Sequence, residues 1–127
     1  MQDMIGFAFT KVSDASSNSV SMLTRIDAAY DALLMFSVAL FTSNGFRVST
    51  DPRDDRFAFE GMAYVLELPE DVFADILKLS KWPLRKYSEG LNVSNEWLAD
   101  ILRSVRLVIK HVNLWLRGAN GFVAQIR

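Results

Sequence analysis

The chain has 127 residues, the size of one domain, and half of them are hydrophobic, ample for a packed core. It has no cysteine and one histidine, which excludes disulfide scaffolds, thiolate zinc sites, cysteine nucleophiles and multi-histidine metal sites within one chain. The net charge of −1 hides a polarity: residues 51–75 carry eight acidic and two basic side chains, residues 76–127 nine basic and three acidic. Such an imbalance steers an anionic partner to the C-terminal half, or holds helices or subunits in register.

Met1 to Thr10 is apolar but has no basic leader, so it does not read as a signal peptide. Lys11 to Ser21 is serine-rich, and residues 1–21 together read as a loosely structured segment. The bundle proper is expected over residues 22–118, all within one domain. From Met22 to Ser43 the chain is rich in Ala, Leu, Met and Phe without glycine or proline. Ile26, Tyr30, Leu33, Ser37, Leu40 and Phe41 fall at helical spacing. Leu33 to Phe41 is apolar nearly all round, so this helix is central or is covered by a second chain. The expectation is a homodimer through this helix or the last one. Asn44-Gly45 supplies a stop.

Asp51 and Pro52 open a second helix running to about Leu66, with Phe57, Met62, Val65 and Leu66 available for burial. Pro69 opens a third, with Val72, Phe73, Ile76, Leu77 and Ser80 on one face; Pro83 ends or kinks it near Trp82. The fourth is capped by Ser94, carries Leu98, Ile101, Val105, Val108, Val112 and Trp115 as an apolar seam, and stops at Gly118. No strand pattern competes. Short connections between four main helices predict an all-α, up-and-down bundle.

Arg106 precedes the single histidine, His111, by five positions. An arginine can hold a phosphate and a histidine can take a proton from a hydroxyl, so the pair could cleave RNA without a metal. Five residues turn a helix by about 140°, so the two would meet only at an edge or across a dimer. Arg103, Arg106, Lys110 and Arg117 form a basic stripe opposite the seam, extended by Lys78, Lys81, Arg85 and Lys86 on the preceding segment. Packing is the favoured reading of all three tryptophans: Trp115 is expected to join the core and Trp97 to cover a bundle end, with Trp82 beside Pro83 the most exposed of the three. The carboxylates lack the Glu-x-x-His pairs of a bundle di-metal site, and nucleophile-elbow, Walker and dinucleotide motifs are absent. No metal and no cofactor are expected. No run reaches the roughly 18 apolar residues of a membrane span, so a cytoplasmic chain is expected.

Ile26 to Leu34, Ala39-Leu40 and the turn Asn44 to Arg47, followed by helices leading to Arg85-Lys86-Tyr87, resemble the HEPN superfamily of small helical bundles. The resemblance covers Arg25 to Tyr87, about half of the chain. It implies a four- or five-helix bundle, often dimeric. It also implies one of two activities. One is a metal-independent RNase, for which Arg106 and His111 alone fit the motif. The other is a module paired with a nucleotidyltransferase-type protein partner in a toxin–antitoxin-type system. Where the family carries an Arg-Asn pair and its histidine, this chain reads Trp82 to Tyr87 with neither asparagine nor histidine. The leading expectation is therefore a non-catalytic HEPN-like interaction module, binding a protein partner or RNA through its basic C-terminal half. The RNase is the second reading. The third is a small-ligand binder with Phe36, Phe41, Phe57, Phe59 and Phe73 around an apolar pocket.

Overall fold

A computed structural model describes residues 2–43, 55–83 and 93–120. Among them every regular element is helical: α1 (Gln2–Ser16), α2 (Met22–Ser43), α3 (Asp55–Leu66), α4 (Glu70–Leu79) and α5 (Asn95–Trp115). The expected class, all-α, holds. The turn at Asn44 to Arg47, the Asp51-Pro52 helix start and the segment containing Arg85, Lys86 and Gly90 lie outside the described residues.

The first 21 residues depart from expectation. Residues 2–16 form a full helix instead of a loose segment, so the described residues hold five α-helices of ten or more residues where four main helices are expected. Ile5, Ala8, Val12 and Ala15 repeat every three or four residues and turn onto α2, with Ala8 and Ala15 fully buried. Alanine adds little hydrophobicity to a sequence pattern, yet its small side chain lets two helices approach closely. Phe9 meets Phe36 edge-to-face at 5.4 Å. The Arg25 Nε–H donates to the Ala15 carbonyl at 2.8 Å, satisfying one of the free carbonyls at the end of α1. After the bend, the Ser21 hydroxyl accepts from the Thr24 N–H and caps α2. These pairings set α1 and α2 antiparallel.

α2 is the central helix, touching α1, α3 and α5. That position explains its apolar surround without a second chain. Ile26, Tyr30, Leu33, Ser37 and Leu40 are buried as their spacing predicts. Ser37 is tolerated there because its hydroxyl donates to the Leu33 carbonyl at 2.8 Å.

α3 places Phe59, Met62 and Leu66 in the core, while Phe57 is 68% exposed, contrary to expectation. Two residues turn a helix by about 200°, so only one of this pair can face inward. α3 ends with Glu67 at φ 53°, in the left-handed region, with the Leu68 N–H bonded to the Ala63 carbonyl and the Glu67 N–H to that of Tyr64. This is a Schellman closure without the usual glycine. Pro69 then precedes α4, whose first turn carries Glu70 and Asp71 at the positive end of the helix dipole. α4 stops at Leu79, earlier than Pro83 alone would require. The Ser80 hydroxyl donates to the Leu77 carbonyl at 2.6 Å, and the Lys81 N–H turns to Lys78.

α5 runs antiparallel to α4. Asp75 accepts from the Ser104 hydroxyl at 2.9 Å, and Trp82 packs on Trp97 with centroids 5.7 Å apart. Ser94 accepts from the Trp97 N–H as cap, and Leu98, Ile101, Val105, Val108 and Val112 are buried. Trp115 is half-buried against the core. The helix does not stop at Gly118 but widens into a π-helical turn over Leu116–Asn120.

Candidate nucleic-acid interface

Because the seam of α5 is held inward against α2 and α4, its opposite face is turned to solvent. Arg103, Arg106 and Lys110 are exposed on that face, and Arg117 is exposed in the π-helical turn just beyond it. At 3.6 residues per turn the three on α5 fall within about 60° of one another, and with Arg117 they span about 20 Å of chain. Arg103 is tied to Asp100 at 2.9 Å. Arg106, Lys110 and Arg117 make no ion pair with any described residue. Leu114, 52% exposed, lies among them.

His111 is placed differently. It is half-buried and sits seven residues after Ser104, hence about 20° from it, on the flank turned towards α4. Arg106 faces solvent about 140° away, so one helix does not bring the two side chains together. Among the described residues no group of His, Asp and Glu is arranged to hold a metal ion, and no helix is long and apolar enough to cross a membrane.

Lys78 and Lys81 do not extend the α5 row. They lie at the end of α4 on the side facing α3, where with Arg56, Leu77 and Ser80 they line a cleft of about 200 Å³. Arg56 was not singled out by the sequence, since nothing in the order of residues brings the start of α3 to the end of α4. Arg85 and Lys86 lie outside the described residues.

The tryptophans serve the interior. Trp82, expected to pack though to be the most exposed of the three, is 2% exposed, and its indole Nε1–H donates to Asp27 at 2.6 Å. The stop at Ser80 swings it off the line of α4 and onto α2. Among the described residues the most exposed aromatics are instead Tyr64 (85%), Phe57 and Phe7. The five phenylalanines of the pocket reading are divided. Phe36 and Phe59 are core, Phe57 faces solvent, Phe73 is half-buried, and the Phe41 side chain lies outside the description.

No protein-family model matches the chain, and no curated protein or solved structure matches it either.

Proposed function

We propose that the chain is a non-catalytic HEPN-like helical module that binds single-stranded RNA through the outer face of α5. The observation that carries this reading is the exposed row Arg106, Lys110 and Arg117, with no acidic partner among the described residues. Unpaired like charges in a row repel one another, and a line of phosphates relieves that repulsion while releasing counterions. An extended row of cations suits backbone contact in preference to base reading. The separation of Arg106 from His111 supports binding without cleavage.

The test is fluorescence anisotropy of labelled single-stranded RNA across a salt series in EDTA. Three or four phosphate contacts predict a log–log salt slope of about −2 to −3, reduced by about 0.7 for each cation removed in Arg106→Ala or Lys110→Ala. No binding at low salt, or a slope indifferent to both substitutions, refutes the proposal. Cleavage of the probe that disappears in His111→Ala replaces it with the nuclease reading.

A further inference from the structure

The cleft between the start of α3 and the end of α4 does not belong to the α5 row, and its charge calls for an explanation of its own. Three basic residues from two separate parts of the chain line it: Arg56 at the start of α3, and Lys78 and Lys81 at and just past the end of α4. Arg56 pairs with Glu60, four residues on, at 2.8 Å. Lys78 and Lys81 form no ion pair with any described residue. Lys78 lies in the last turn of α4, where a cation complements the negative end of the helix dipole. That accounts for one lysine at this place, not for the meeting of both with an arginine from another helix. Among the described side chains, counting Glu60 as one negative charge and the end of α4 as about half a charge, an excess of about 1.5 positive charges remains.

The chemistry of the lining narrows the ligand. The Ser80 proton is committed to the Leu77 carbonyl, so the donors left for a guest are the cations. Two ammonium groups act as point charges and one guanidinium offers a planar fork, a set suited to an oxyanion presenting several oxygens in different directions. Ligand pockets for whole cofactors usually measure about 300–1,000 Å³, whereas one water in the liquid occupies about 30 Å³. The cleft is therefore the size for one charged group rather than a whole cofactor. We infer that this cleft binds a phosphate group, either as the free ion or as the phosphate of a larger molecule. The inference does not depend on RNA binding by α5, and either can fail alone.

The experiment is isothermal titration of the full chain with inorganic phosphate and, separately, with 5′-AMP, using acetate as a singly charged control. Saturable binding at one site per chain is expected, with acetate much weaker. Each of Lys78→Ala, Lys81→Ala and Arg56→Ala should weaken it by about 2- to 5-fold, the range for one solvent-exposed ion pair. Lys110→Ala, on the α5 row, should leave it unchanged. All four side chains are exposed, and a circular dichroism melt confirms that each variant folds. Binding of both probes places a phosphate ester within the cleft's reach; binding of inorganic phosphate alone assigns it to the free ion. Absence of saturable binding at tens of millimolar, or equal weakening by Lys110→Ala and the cleft variants, overturns the inference.

Discussion

Replacing Tyr30 with phenylalanine removes one hydroxyl from the middle of the core, and the chain should become more stable for its loss. Tyr30 is 7% exposed, its ring packs edge-on against Phe59 at 5.7 Å, and its hydroxyl oxygen is buried with no hydrogen-bond partner among the described residues. A buried polar group left unpaired costs about 1–3 kcal/mol. Against that stands the void left by one oxygen atom. At about 24 cal/mol per Å³, a void of roughly 10 Å³ costs about 0.2 kcal/mol. The ring contact is kept, because phenylalanine has the same ring on the same stem. The net expectation is a gain of about 1 kcal/mol, or a melting temperature about 3–5 °C higher for a domain of this length. Urea denaturation followed by circular dichroism reads it directly, as a higher midpoint at an unchanged slope. A variant less stable than the parent by 1 kcal/mol or more refutes the reasoning. It would mean that the hydroxyl has a partner, such as a buried water, whose loss outweighs the relief.

Two further substitutions test how the bundle closes. Asp27→Ala leaves the buried Trp82 indole N–H without its acceptor and should lower stability by about 1–3 kcal/mol, seen as a lower urea midpoint by tryptophan fluorescence; an unchanged midpoint would show that the 2.6 Å bond contributes nothing. Glu67→Gly should raise stability by about 0.5–1 kcal/mol, because glycine adopts the left-handed conformation at φ 53° without the Cβ penalty and returns only part of that gain as chain entropy; a lower thermal midpoint would place the strain elsewhere.

What could be read from the residues alone follows from which signals are local. The span of α2 is legible because a stretch free of glycine and proline, with apolar residues at helical spacing, is a local signal. The seam of α5 is legible because its 3–4 spacing has one geometric solution, a buried stripe. α1 was missed because half of its buried face is alanine and its end is rich in serine, so neither hydrophobicity nor composition marks it. Its stability comes from packing on α2 and from Arg25, ten positions away, closing its last turn. The depth of Trp82 relative to the other tryptophans was hidden for a related reason. Its exposure depends on where α4 stops, and that is decided by a side-chain bond of Ser80 as well as by Pro83.

Function was less legible than fold because charge along a chain says which residues reach solvent, not which of them share a surface. The basic residues after position 75 form one group in the sequence. The structure divides those it describes into a row on α5 and a cleft on α4, and the cleft is completed by Arg56, from the acid-rich stretch before them. The division has a chemical consequence. An open row of cations favours a long polyanion and discriminates little among them, whereas converging cations in a recess favour a compact, highly charged group. Neutralising the row should therefore weaken RNA and spare phosphate, and neutralising the cleft should weaken phosphate while leaving the α5 salt slope unchanged. One basic surface acting as a whole would lose both together.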